Sequence, residues 1–235
     1  VLSYYLGWIA EASSGKPATI VAVPELGEDN SHRTAFWMHV DALTTWALAE
    51  CNLTLVCAYP NEPTTAAVVR QAHPSLLDGA ATPSPDHLPA ERFLASYPLP
   101  PPSELGHPEA TRIINHPAQL AELRQVVGNH SARAGLPAAR HEDFVLAVTE
   151  VATNALEHGA PPAAVSLWAT STSVICQITD NGRFTEPLAG LLPPQMNQRR
   201  ARGLWMAHQL CDQLYLWPEP TTIRLQMDRP PATSP

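Results

Sequence analysis

Apolar positions along the chain recur with two spacings, and their order changes half-way. In the first part, Val1–Ala12 puts Leu2, Tyr5, Leu6 and Ile9 on one side and predicts a helix. Thr19–Val23 is a short apolar run between Pro17 and Pro24 and predicts a buried strand. His32–Cys51 lines up Phe36, Trp37, Val40, Leu43, Ala47 and Leu48 on one helical face. Leu53–Tyr59 predicts a second strand and Thr65–Ala72 a short helix. Helix–strand–helix–strand–helix implies an α/β region with a parallel sheet flanked by helices. Two strands make a thin sheet, so this region reads as part of a larger one.

The second half segregates its elements. Thr111–Asn115 predicts a strand. Pro117–Ala134 predicts a helix with Leu120, Leu123, Val126 and Val127 inward, ended by Gly135. His141–His158 predicts the next, with Phe144, Val145, Val148, Ala152 and Ala155 as its buried stripe and Gly159 as its stop. Ala164–Ala169 and Ser173–Thr179 predict paired strands. Gly203–Leu214 predicts a helix, and Tyr215–Trp217 with Thr222–Met227 a terminal hairpin. Such a pattern gives an α+β two-layer sandwich with an antiparallel or mixed sheet. Between the halves runs P-L-P-P-P-S-E-L-G-H-P-E, Pro98–Glu109, whose proline density favours extended backbone. The expected organisation is therefore one domain over 1–97, a linker over 98–109, a second domain over 110–229 and a disordered tail over 230–235. Thr82–Pro89 reads as a surface loop, and R-P-P-A-T-S-P from Arg229 as a frayed end.

Composition narrows the function. The formal net charge of −8 argues against broad nucleic-acid binding, which relies on Lys and Arg, and against adsorption to an anionic membrane. No apolar run reaches the ~18–20 residues of a membrane helix. Val1–Ala12 has no basic start and runs into Glu11, so no signal peptide is expected, and a start at Val1 is expected of a piece of a longer protein. Four cysteines, Cys51, Cys57, Cys176 and Cys211, fit no linear zinc or redox spacing and read as reduced core residues of a cytoplasmic protein. Ten histidines are scattered without paired spacing, so a metal held by protein side chains alone is not expected.

Three segments carry candidate chemistry. In E-V-A-T-N-A-L-E-H-G, Glu150 and Asn154 lie one turn apart, away from the apolar stripe, with Glu157 and His158 beyond them. A solvated polar face would explain that set equally well, and His158 suits the negative end of a helix. In I-T-D-N-G-R, Ile178–Arg183, a strand runs into a turn with Asp180 at its edge and Gly182 allowing close approach. In R-R-A-R-G-L-W-M, Arg199, Arg200 and Arg202 precede Gly203 at a helix start, where free N–H groups and the dipole suit phosphate.

The order E-x-x-x-N, strand-D-x-G, G-L at a helix start resembles the N, G1 and G2 boxes of the GHKL ATP-binding fold. The resemblance runs from Thr111 to Met227 and is nearest to the anti-sigma-factor serine kinase (RsbW-like) branch, through N-A-L-E-H-G and a short lid. It implies ATP and Mg²⁺ as cofactors. Asn154 would hold Mg²⁺ through its amide oxygen, Asp180 would accept from the adenine amino group, and Gly182 would leave room for the base. Gly203 and Leu204 would present N–H groups to the phosphates, Arg202 would add charge there, and Thr222 would back the adenine pocket. Glu150 would be the general base taking a proton from a serine hydroxyl. The implied partners are an anti-anti-sigma (STAS-type) protein or a sigma factor, with a homodimer expected from the family. Phe184, Ala201 and Pro220 depart from the family's glycines, stiffening or crowding the backbone beside a nucleotide, which keeps a catalytically degenerate interaction module as the alternative. A sensor histidine kinase fragment is a weaker one, because no phosphoacceptor helix precedes the domain. In the first half, A-E-C-N-L-T-L-V-C-A-Y-P (Ala49–Pro60), A-H-P (Ala72–Pro74) and S-Y-P-L-P-P-P (Ser96–Pro102) resemble the C-terminal part of a MEDS-type sensory domain. That implies a small-molecule ligand; Tyr59, Cys57 and His73 read either as its pocket or as core.

Overall fold

The computed structural model describes residues 17–23, 32–47, 52–60, 62–99, 104–186, 189–191 and 202–229. The chain divides into two compact units, one within Leu2–Pro102 and the other within Ser103–Pro235.

In the first unit, β1 (Ala18–Ala22) and β2 (Leu53–Cys57) pair in parallel, Ala18 opposite Leu53 and Ala22 opposite Cys57. Parallel neighbours need a crossover, and α1 (His32–Ala47) lies on it. On α1 the expected Val40 and Leu43 are buried, together with Met38, Asp41 and Ala42; the side chains of Phe36, Ala47 and Leu48 lie outside the described residues, as does the expected helix at Val1–Ala12. α2 (Pro63–Ala72) begins on a proline, whose missing N–H is not needed there. Two features depart from the sequence reading. Thr82–Pro89 is not all loop: β3 (Ser75–Asp78) and β4 (Ala80–Pro83) form a hairpin turned at Gly79, whose φ of 72° favours glycine. The short helix α3 (Ala90–Ser96) then buries Phe93. Seven residues with one large buried side chain give no periodicity to detect. Phe93 joins Met38, Ala42 and Ala72 in a small core edged by Tyr59, Val68, Val69 and Tyr97.

The second unit is an antiparallel five-stranded sheet under helices. The strands are β5 (Ala110–Ile114), β6 (Ala163–Ala169), β7 (Ser173–Thr179), β8 (Gln213–Pro218) and β9 (Thr221–Asp228), in the order β5-β6-β7-β9-β8. The helices are α4 (Leu120–Arg133), α5 (Ala138–Glu157) and α6 (Arg202–Leu210). Alternate residues of β6, Ala163, Val165 and Leu167, meet Phe144, Val148, Val151 and Ala155 of α5 and Leu123 and Val127 of α4 in one core. Each such large side chain, fully buried, stabilises by about 1.5–3 kcal/mol. The expected stripe of α5 is buried except for Val145, which is partly covered.

Three boundaries move. α5 starts at Ala138, directly after Pro137, because its first turn carries Arg140, which donates to Leu210 O at 3.0 Å and pairs with Asp212. α6 stops at Leu210 instead of Leu214: Asp212 Oδ2 also accepts from Asp228 N–H at 2.7 Å, which pulls the chain off the helix and into β8. Arg229 is not frayed; its N–H bonds Thr172 O and its guanidinium donates to Thr170 O at 2.6 Å.

Candidate functional site

α5 ends where its polar residues lie. Asn154 O accepts from both His158 N–H at 2.8 Å and Gly159 N–H at 3.2 Å, closing the helix one turn beyond the Asn154 side chain. Glu150 and Asn154 are half-buried, whereas Glu157 and His158 are exposed and face each other at 3.9 Å. The inner pair is therefore partly covered by neighbouring chain and the outer pair faces solvent.

The chain leaving α5 supports Asp180. That carboxylate, 3% exposed at the end of β7, accepts through Oδ1 from Gly182 N–H at 2.7 Å and Ala160 N–H at 3.1 Å. Two backbone bonds flank it, Asp180 N–H to Thr221 O and Thr221 N–H to Gly182 O, each 3.0 Å. A Cβ at Gly182 would come 2.7 Å from Asp180 Oδ1, and one at Gly159 would come 2.6 Å from both Asp180 Oδ2 and Ala155 O. Gly159 and Ala160 were thus missed as supports of Asp180; the sequence marks Gly159 only as a helix stop. Thr222 is buried beside them, its hydroxyl donating to Pro220 O at 3.2 Å and lying 3.2 Å from Thr179 Oγ1.

The N-terminus of α6 closes the arrangement. A Cβ on Gly203 would fall 2.6 Å from Glu150 Oε2 and 3.5 Å from Asn154 Nδ2. The positive end of the α6 dipole therefore lies against the carboxylate and amide of α5. Arg202 is exposed on the first turn, while the Leu204 side chain is buried in the core. Gly190, with φ 77°, packs on Leu204. Arg199, Arg200 and Ala201 lie outside the described residues.

Three segments far apart in sequence thus meet along the C-terminal half of α5, and the match to a known family covers all three. Residues 113–227 match the family described as the histidine kinase-like ATPase domain. This stretch is a histidine kinase-like ATPase domain. Among solved structures, the RsbU and RsbW domains of Rv1364c from Mycobacterium tuberculosis are similar at 21% identity and a TM-score of 0.37, over 52% of this chain and 34% of that one. The chain thus spans about a third of that structure's length. No curated protein matches the chain.

Two of the ATPase domain's departures from glycine have visible surroundings. Phe184 packs against the core, and its N–H donates to Pro218 O at 2.9 Å, so the core takes up part of its bulk. Pro220 is exposed in the turn between β8 and β9, after a cis peptide bond. A basin of about 420 Å³ lined by Glu109, His130, Arg133 and Arg229 lies at the other end of the sheet. None of the three motifs reaches it, so the convergence on Glu150 and Asp180, not this basin, marks the candidate site. In the core of this domain, burial pushes the Cys211 thiol up to about 12 and raises that of Cys176, leaving both as inert thiols.

Proposed function

We propose that the ATPase domain binds ATP with Mg²⁺ and acts as an anti-sigma-type serine kinase, with an anti-anti-sigma (STAS-type) protein or a sigma factor as its partner. The observation that carries this reading is the approach of Gly203 to Glu150 and Asn154. A phosphate drawn to the N–H groups at the start of α6 lies beside both side chains. Mg²⁺, when bound, neutralises charge developing on the transferred phosphoryl group. The donors fit these groups: Asn154 offers a hard amide oxygen next to the phosphate end, and Asp180 offers an acceptor held by two amides. Gly182 has no Cβ beside that acceptor, and Thr222 backs it.

Glu150 then has one task. Its carboxylate takes the proton of an incoming serine hydroxyl as the hydroxyl oxygen attacks the γ-phosphate. A rigid helix holds this base one turn from Asn154, so positioning costs little at the moment of reaction. The first unit, with its parallel β1–β2 pair, we assign as a MEDS-type sensory module over 1–97, joined through 98–109 to the ATPase domain over 110–229, in a cytoplasmic protein.

Titration calorimetry with ATP and Mg²⁺ tests the first step, with saturable binding as the expected result. Absence of binding up to millimolar nucleotide would refute it. Glu150→Ala is expected to retain binding and to lose phosphate transfer to a serine-bearing partner by ~10²–10⁴-fold. A second reading rests on Phe184, Ala201 and Pro220: a module that holds its partner without turnover. Partner binding with no phosphate transfer by the unaltered protein would favour it.

A further inference from the structure

A second cluster of chemically capable side chains lies in the first unit. Asp41 sits on α1, Cys57 ends β2 and His73 follows α2, and one ligand atom from each lies within 4.8 Å of the others. Cys57 Sγ is 3.7 Å from Asp41 Oδ1, and His73 Nε2 is 3.7 Å from Asp41 Oδ2. Asp41 is 6% exposed, and its Oδ2 has no hydrogen-bond partner. His73 Nδ1 faces Val69 O at 3.1 Å. A carbonyl only accepts, so Nδ1 carries the proton and Nε2 turns its lone pair towards Asp41. Burial lowers the pKa of His73, which keeps the ring neutral.

When Asp41 is ionised, two acceptors thus face each other at 3.7 Å, beyond hydrogen-bond length, in a buried place. Such an arrangement is costly unless a positive species lies between them. Tetrahedral zinc, with sulfur at about 2.3 Å and nitrogen or oxygen at about 2.0–2.2 Å, sets its ligand atoms roughly 3.3–3.7 Å apart. The two 3.7 Å separations reach different oxygens of Asp41; with one ligand atom taken from each residue all three lie within 4.8 Å of one another, a span that closing around an ion would shorten. A histidine that gives its second N–H to a backbone carbonyl is likewise the outer arrangement of a metal ligand. Tyr59 covers one side of the cluster, its ring edge-on to His73 at 5.9 Å, and its buried hydroxyl also lacks a partner.

We propose that Asp41, Cys57 and His73 form a three-ligand site for a zinc-class divalent transition-metal ion, with a fourth position open to water or an incoming ligand. The binding step exchanges a proton for a metal: the Cys57 S–H bond breaks, the sulfur–metal bond forms, and the proton goes to solvent without redox change. The thiol must lose its proton to bind the metal, so uptake weakens as the solution becomes more acidic. This inference goes beyond the kinase reading and does not depend on it.

The test is cobalt titration of the full chain after treatment with a chelator. A single equivalent of Co²⁺ is expected to produce a thiolate-to-cobalt charge-transfer band, and Zn²⁺ is expected to remove it. Cys57→Ser should abolish that band while Cys51→Ser keeps it. Asp41→Asn and His73→Gln should each weaken metal binding by ~10–100-fold. Failure of the unaltered chain to develop the band, with its circular dichroism unchanged by the chelator, would overturn the site and leave a proton-sharing polar cluster. Survival of the band in Cys57→Ser would overturn it as well. A variant that fails to fold leaves the unaltered chain to decide.

Discussion

Two glycines at the candidate site separate contact with a flexible side chain from contact with backbone. At Gly203 an added methyl meets the tip of Glu150, 2.6 Å away, which can swing aside. Gly203→Ala is expected to keep the fold within about 1 kcal/mol while lowering ATP affinity by roughly tenfold, read by calorimetry. At Gly159 the methyl meets Ala155 O and Asp180 Oδ2, both at 2.6 Å, and the carbonyl cannot move without the helix end. Gly159→Ala should therefore destabilise the ATPase domain by about 1–3 kcal/mol in urea unfolding. Asp41 gives a pH prediction for the metal-free protein. Burial pushes its carboxyl up to about 7, against about 3.9 in an unfolded chain. The fold thus holds a proton that the unfolded chain releases first. Its contribution to stability is complete below about pH 4, is lost as pH rises to about 7, and is flat beyond. Urea midpoints of the first unit should fall between about pH 4 and about pH 7 in chelator-treated protein, and Asp41→Asn should flatten that fall. At this scale Glu150, Asn154 and Asp180 could be singled out in the sequence because a resemblance linked them in order. Asp41, Cys57 and His73 were not: they stand on three elements, and only folding sets one sulfur and one imidazole against a buried carboxylate.

Among the elements, α5 does two things at once. One face supplies Phe144, Val148 and Val151 to the core, and the adjoining face carries Glu150 and Asn154. Its first turn is tied to the end of α6 by Arg140, which reaches both Leu210 O and Asp212. With both ionic side chains about one-third exposed, solvent screening limits the pair. Arg140→Ala is expected to cost about 1 kcal/mol in thermal unfolding and to leave the Asp180 end of the site intact. Long amphipathic elements such as α4 and α5 were readable because 3.6-residue periodicity reports burial directly. The end of α6 was not, because Asp212, whose oxygen serves both Arg140 and the Asp228 N–H, looks in sequence like one more helical polar residue. The β3–β4 hairpin hid for a related reason: its residues are mostly exposed, so no alternation marks it.

For the molecule as a whole, two units with separate cores make ligand effects assignable. ATP with Mg²⁺ at a hundred times its dissociation constant should stabilise the ATPase domain by about 2.7 kcal/mol, read as a raised unfolding temperature of that unit. The change from alternating helices and strands to segregated ones was visible in the sequence, and so was the proline-rich stretch between them. The order β5-β6-β7-β9-β8 was not, since nothing local tells β7 to pair with β9 across the segment that holds α6. That segment is pinned at intervals: Phe184 packs against the core, Gly190 sits on Leu204, and Gly203 is buried against Glu150. An added methyl at Gly190 would meet Leu204 Cγ at 2.7 Å, and its φ of 77° favours glycine, so this single residue sets how closely the chain can pass over the start of α6.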